Sequence, residues 1–170
     1  TGIHPLKSDI GEMAHLAGRK SLYGASELCG DERSKWLDFL FSELVQPTLL
    51  SDVTYFIRPY PALLPSLASR CPDDEDWVER IEIFSGGIEL GNGFHELRDP
   101  REQAQRFQDD LAARRRNGLA EVEPDARLIA ALASGIPDCS GLAIGLDRLL
   151  MVLLRSASLS ETLSFAWDRA

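Results

Sequence analysis

The sequence predicts an α+β fold, an antiparallel β-sheet flanked by helices. Three observations predict it. Residues 77–97 alternate strand-forming residues with glycines and read as a hairpin. Ahead of it, Trp36, Leu37, Leu40, Phe41, Leu44 and Val45 recur at helical spacing. Behind it, a capped helical segment at 99–117 precedes a glycine-spaced strand that runs into an apolar helix at 141–155.

The N-terminal 30 residues carry turn signals at Gly2, Pro5, Gly11, Gly18, Gly24 and Gly30, with short helices expected over 8–18 and 24–29. His4 and His15 stand alone and read as surface or packing residues. Asp31 is the expected N-cap of a helix over 33–46, which Pro47 ends. Residues 53–58 are β-branched and aromatic and read as a strand, after which Pro59, Pro61 and Pro65 break the chain. Residues 71–76 read as an acidic loop, with Asp73-Asp74-Glu75-Asp76 in solvent because like charges so close avoid burial.

The central stretch holds Glu82, Glu89 and Glu96 at seven-residue intervals. It reads as strand, glycine turn, strand, glycine turn. A two-residue loop at Ser85-Gly86 would set Phe84 opposite Gly87, Ile83 opposite Ile88 and Glu82 opposite Glu89. Two opposed carboxylates repel unless a cation lies between them or water solvates both. Mg²⁺ is the natural guest, since it takes carboxylate oxygens and brings nucleotide phosphates with it. A solvent-facing hairpin with two uncoupled glutamates accounts for the same residues.

Asp99 then caps, Pro100 suits the first helical turn, and Glu102 stands where a capping box requires it. The helix is expected to run to Asn117 and stop at Gly118, burying Ala104, Phe107 and Leu111. Arg114, Arg115 and Arg116 complement its dipole. Residues 124–134 form a further helix closed by Gly135 and Pro137. Gly141-Leu142-Ala143-Ile144-Gly145 reads as a buried strand whose small residues admit something flat. Asp147 starts the next helix, and Arg148 at the junction suits a base or a phosphate. Ser158-Leu159-Ser160-Glu161 suggests a last capping box, followed by the tail Phe165-Ala166-Trp167-Asp168-Arg169-Ala170.

With 170 residues, 44% hydrophobic and 26% charged, the chain is globular and long enough for one real core. A formal net charge of -9 argues against a broad nucleic-acid surface. No apolar run approaches a membrane span, and no basic-then-apolar leader opens the chain. The absence of an initiator Met suggests an excised piece. Cys29, Cys71 and Cys139 are odd in number and far apart, which gives neither a disulfide framework nor a zinc spacing, so a cytoplasmic location is expected.

Residues 82–97, Glu-Ile-Phe-Ser-Gly-Gly-Ile-Glu-Leu-Gly-Asn-Gly-Phe-His-Glu-Leu, resemble the block ahead of motif 3 in class II lysyl-tRNA synthetases and their paralogs, and 141–148 resemble the start of motif 3 itself. Asp99-Pro100-Arg101-Glu102-Gln103 and Pro137-Asp138-Cys139-Ser140-Gly141 fit the same superfamily. Phe94-His95-Glu96-Leu97 looks like the elongation factor P lysine ligases, where the synthetases usually carry Ser in place of His95. Ala143 and the Asp168-Arg169-Ala170 end also look like the ligases, whereas Gly91 matches the synthetases.

The resemblance implies the C-terminal portion, over 1–170, of a class II aminoacyl-tRNA synthetase-like catalytic domain, with motif 3 at 141–155. It implies ATP-dependent activation of (R)-β-lysine or a similar amino acid as an adenylate, and transfer to a lysine of elongation factor P. Glu82 and Glu89 would hold Mg²⁺, and Glu82, Ile83, Gly145 and Arg148 would meet ATP. Glu89, Asn92, Glu96 and Ala143 would line the amino-acid pocket, with Arg148 and Glu89 taking part in catalysis. A homodimer is implied for the full-length protein, with tRNA and membranes not expected as partners. Motif 1 and the motif 2 arginine have no counterpart here, so the isolated chain is expected to be inactive. A lysyl-tRNA synthetase fragment and a non-catalytic synthetase-like module remain alternatives.

Overall fold

Apolar residues at helical spacing gather the first third of the chain into a helical layer. The computed structural model describes residues 1–50, 52–64 and 66–166; the Pro65 break and the tail beyond 166 lie outside them. Helix α1 spans Ile10–Arg19, with Asp9 and Glu12 forming a reciprocal capping box. Helices α2 (Ala25–Cys29) and α3 (Arg33–Leu40) follow. Met13, Leu16, Ala17, Ala25, Cys29, Trp36 and Leu40 form their common core. The Trp36 indole N–H donates to the Gly30 carbonyl at 2.9 Å, so this buried ring is also satisfied.

Two expectations here are corrected. The residue capping α3 is Glu32, without a side-chain bond, rather than Asp31. The helix also stops at Leu40 and continues as a π-helical turn over Phe41–Val45 and a 3₁₀ turn over Gln46–Thr48. That widened turn brings Phe41 against Phe84, edge to face with centroids 5.6 Å apart, and lets Gln46 donate to the Gly87 carbonyl at 2.7 Å. The helical layer thus docks on the hairpin.

The main sheet is antiparallel, in the order β1-β5-β6-β7: β1 Thr54–Ile57, β5 Arg80–Ser85, β6 Ile88–His95 and β7 Ser140–Ile144. A second sheet joins β2 (Tyr60–Pro61), β4 (Asp74–Val78) and β3 (Arg70–Cys71). The expected acidic loop at 71–76 is therefore the turn of the β3–β4 hairpin together with the start of β4. Its acids remain exposed, because they lie at the turn end of the small sheet. Tyr60, Ala68 and Val78 form a second core, with Ile57 and Phe94 packed on it.

The central hairpin departs from expectation in its register. Its loop is Gly86-Gly87, both with positive φ (62° and 73°), as a type I′ turn requires, and Ser85 pairs with Ile88. Phe84 pairs with Glu89 and Glu82 with Asn92, so the predicted opposition of Glu82 to Glu89 does not occur. The predicted second turn is also absent: β6 runs straight through Gly91-Asn92-Gly93. Those glycines serve close approach. A Cβ built on Gly93 would fall 2.3 Å from the Gly141 carbonyl oxygen on β7.

Helices α4 (Pro100–Arg116) and α5 (Ala126–Ser134) connect β6 to β7. Asp99 caps α4 through the Arg101 and Glu102 amides, but Glu102 pairs with Arg106 instead of closing a capping box. Gln103 is the fully buried residue of α4, and Ala104, Phe107 and Leu111 are half-buried. Strand β7, expected to be buried, is mostly exposed, since among the described residues it pairs with β6 alone. Helix α6 covers Leu146–Leu154 and is followed by a 3₁₀ turn at Leu159–Glu161 in place of the expected last helix. All three cysteines are free, and no helix among the described residues is long and apolar enough to cross a membrane.

Gly93→Ala is expected to push β7 off β6 and to destabilise the protein by about 1–3 kcal/mol, the usual cost of forcing extra volume into a packed contact. Urea unfolding followed by circular dichroism measures it, and an unchanged midpoint would contradict the close approach.

Candidate functional site

A β-bulge decides which side chains share a face. Between Ile83 and Phe84 the ladder shifts: Phe84 pairs with Glu89, but Ile83 pairs with Gly91, leaving Leu90 as the extra residue on β6. Directly paired residues point to the same side of a sheet. With an unbroken register Asn92 would fall opposite Ile81 and face away from Glu82. The bulge instead sets Ile57, Glu82, Asn92 and Ala143 on one rung across all four strands. Phe84 lies two residues beyond Glu82, so its partner Glu89 also faces that side. Four of the residues predicted for the site thus share one face. Ile83 alternates to the other face, on the next rung between Phe56 and Gly91.

Glu89, Asn92, Ala143, Gly145 and Arg148 line one hollow of about 390 Å³. Arg148 stands in the first turn of α6, and its guanidinium donates to the Glu89 carbonyl at 2.9 Å. The Gly145 amide donates to the Leu90 carbonyl at 2.8 Å. The bulge therefore receives both ends of the β7–α6 junction. Glu96 lies one strand-end away. Its amide donates to the Cys139 carbonyl at 3.0 Å, and its carboxylate sits over Gly141, where a Cβ would come within 2.2 Å of Oε1. Any side chain at 141 would displace that carboxylate.

Glu82 has a different setting. It is 8% exposed and lies at the floor of a larger cavity of about 660 Å³ between the sheet and α3, with Tyr60, Trp77 and Arg80. The Tyr60 hydroxyl donates to Glu82 Oε2 at 2.5 Å, and Arg80 forms an ion pair with Oε1. The Arg80 guanidinium also lies 4.7 Å from the Tyr60 ring centroid. Burial, and then the hydrogen bond to Glu82, push the Tyr60 phenol far above its ordinary range, so it is a donor at every relevant pH. The charge of Glu89 also raises it, which agrees with both glutamates facing the same side.

These carboxylates bear on the expected Mg²⁺. Among the described residues no group of three or more His, Cys, Asp or Glu is placed to hold a metal ion, so they build no complete metal cage. Two carboxylates on one face are what Mg²⁺ takes when phosphates complete its shell. The donor set fits an ion that arrives with a nucleotide. Glu82 would then exchange Arg80 for the ion, since Tyr60 and Arg80 hold both its oxygens here.

Sequence reasoning missed three features. Tyr60 and Arg80 carried no signal as partners of Glu82, because the contact from Tyr60 spans 22 residues. The bulge leaves no mark in residue type. The third is His95, whose ring lies between Glu79 and Asp138. Its difference from the Ser of the synthetases was the available clue.

The family model for tRNA synthetases class II (D, K and N) matches residues 44–169. Among curated proteins, the elongation factor P--(R)-beta-lysine ligase of Klebsiella pneumoniae (strain 342) is 40% identical over 168 residues, covering 99% of this chain and 51% of the relative. The protein of the same name from Salmonella agona (strain SL483) matches to the same extent. The chain spans about half the length of the curated relatives it matches.

Tyr60→Phe removes one partner of a buried carboxylate and is expected to cost about 1–3 kcal/mol. Guanidinium unfolding of the variant beside the parent chain measures it; equal stabilities would show that the hydroxyl bond contributes nothing.

Proposed function

The chain belongs to the class II tRNA synthetases (D, K and N), and from that premise we propose that it is the C-terminal portion of the catalytic domain of an ATP-dependent ligase. The ligase activates (R)-β-lysine, or a closely similar amino acid, as an aminoacyl-adenylate and transfers it to a lysine side chain of elongation factor P. The observation that carries this reading is the distribution of charge on one sheet face. Glu89, Asn92 and Glu96 offer acceptors suited to a substrate with two ammonium groups, and Arg148 supplies positive charge beside them. The name of the 40% identical relatives supports the choice of amino acid and acceptor.

Each residue has a role in this reading. Glu96, over Gly141, pairs with one ammonium of the substrate, and Glu89 takes the other. Asn92 donates to the substrate and Ala143 bounds the pocket beside it, on the same rung. Arg148 neutralises phosphate charge that develops as pyrophosphate leaves. Gly145, with no side chain, admits the nucleotide close to the β7–α6 junction, and the Ile83 backbone borders it. Glu82 and Glu89 would hold Mg²⁺ with the ATP phosphates, where the ion supplies charge neutralisation. The whole protein acts as a cytoplasmic homodimer and does not need tRNA.

Gly91, which matches the synthetases, favours a second reading as part of a lysyl-tRNA synthetase. One experiment separates them. The whole protein is given ATP, Mg²⁺ and either (R)-β-lysine or α-lysine, with elongation factor P and lysine tRNA as competing acceptors. A mass increase on the factor, larger with β-lysine, is expected. Charging of tRNA alone would establish the second reading, and no ATP consumption would favour a non-catalytic module. Two variants sharpen the result. Arg148→Ala is expected to lower the rate about 10²–10³-fold. Glu96→Gln is expected to raise the KM for the amino acid about tenfold or more while sparing that for ATP. The isolated chain is expected to show no amino-acid-dependent ATP–pyrophosphate exchange.

A further inference from the structure

His95 is the last residue of β6, and both of its ring nitrogens meet carboxylates. Nδ1 bonds Glu79, in the link between β4 and β5, and Nε2 lies 2.5 Å from Asp138, in the segment ahead of β7. A ring with carboxylates on both nitrogens donates at both, which requires the imidazolium. The two acceptors lie 59 residues apart in sequence, so the ring joins separate parts of the fold. Backbone bonds run alongside: the His95 amide donates to the Glu79 carbonyl at 3.0 Å, and the Glu96 amide to the Cys139 carbonyl at 3.0 Å.

We propose that protonated His95 is a positioning residue for the amino-acid pocket, clamping the 138–141 segment to the end of β6 and so setting the height of the Glu96 carboxylate over Gly141. This rests on the role given above to Glu96. The segment carries Asp138, the carbonyl that receives the Glu96 amide, and the glycine beneath the Glu96 carboxylate. Without the His95–Asp138 bond, the ties left at that point are the Arg98–Asp138 ion pair at 3.7 Å, half exposed, the Glu96 amide bond and the β6–β7 ladder from Ser140 onward. A shift of the segment moves the surface under Glu96.

The clamp responds to pH, and the groups around it fix the sign. Glu79 and Asp138 face the ring; Arg98, after β6, lies 3.7 Å from Asp138, and Cys71 on β3 lies within electrostatic reach of Glu79. The hydrogen bond to Asp138 and then that to Glu79 raise the His95 pKa above its ordinary value of 6.5. The bond from His95, with Arg98 next in weight, keeps Asp138 ionised to lower pH. A raised folded-state value means that the clamp's contribution is complete below pH 6.5 and is lost as pH rises through the raised value.

The test has two readouts. The chain holds three histidines, so imidazole nitrogens are assignable by NMR. In the 170-residue chain, His95 is expected to stay doubly protonated above pH 6.5, the ordinary histidine value, and exchange protection of the Glu96 amide is expected to fall as His95 deprotonates. In the whole protein, His95→Gln is expected to raise the KM for the amino acid about tenfold, with kcat and the KM for ATP nearly unchanged, and to abolish the rise of that KM with pH. Asp138→Asn is the second variant, should the first fail to fold, and is expected to act in the same direction. A neutral His95 at pH 6, or unchanged Glu96 protection in Asp138→Asn, overturns the clamp. An intact clamp with an unchanged amino-acid KM in both variants overturns its positioning role. If the wild-type protein performs no amino-acid-dependent exchange while the NMR result stands, the ligase reading is what has failed, and with it the purpose assigned to the clamp.

Discussion

One extra residue in one ladder sets the chemistry of this sheet. Leu90 has no partner on β5, and that single insertion reverses the parity of everything after it on β6. A strand alternates faces with a period of two, so Glu89 and Asn92, three apart, belong on opposite sides. The bulge brings them to the same side. It also exposes the Glu89 and Leu90 carbonyls to Arg148 and to the Gly145 amide. A local irregularity of backbone thus becomes the seat of the α6 N-terminus and the alignment of four side chains. The glycines beyond it complete the arrangement, because β7 approaches so closely that its carbonyls occupy the space of a β-carbon.

Glu82 shows how a buried charge is kept. A lone carboxylate in such a place would cost several kcal/mol and would neutralise instead. Tyr60 and Arg80 take one oxygen each, and Arg80 lies against the same aromatic ring. Such a set holds the carboxylate in a fixed orientation and gives each of its oxygens a partner. It also ties the short strand β2 to the main sheet, so the two sheets are joined through the side chain of Glu82.

Much of this was legible in the sequence. The capped helices, the apolar stripe through Trp36 and Leu40, and the strand-to-helix junction at Arg148 were written in residue spacing, which is a local property. The site residues on the shared rung were reached through family resemblance. What failed was register. Ser85-Gly86 and Gly86-Gly87 are both plausible two-residue loops, and choosing between them moves every cross-strand pair. The choice rests on the positive φ of both central residues, which a Gly-Gly pair supplies at no steric cost. The bulge lies where β7 and α6 dock, and such long-range packing has no signature in a window of ten residues. Asp31 lost its expected role for a similar reason: the chain from Cys29 turns into α3 one residue later, and tertiary packing of Trp36 sets where the helix begins.

Strand β7 is the last added to the main sheet, and its outer ladder groups pair with nothing among the described residues. Leu142 and Ile144 stand exposed on it, and Leu146, Leu150 and Leu153 follow at helical spacing on α6, also exposed. An open strand edge beside leucines is a template for edge-to-edge pairing between molecules. In a chain that spans about half the length of its relatives, that bare margin and its leucines favour self-association at high concentration.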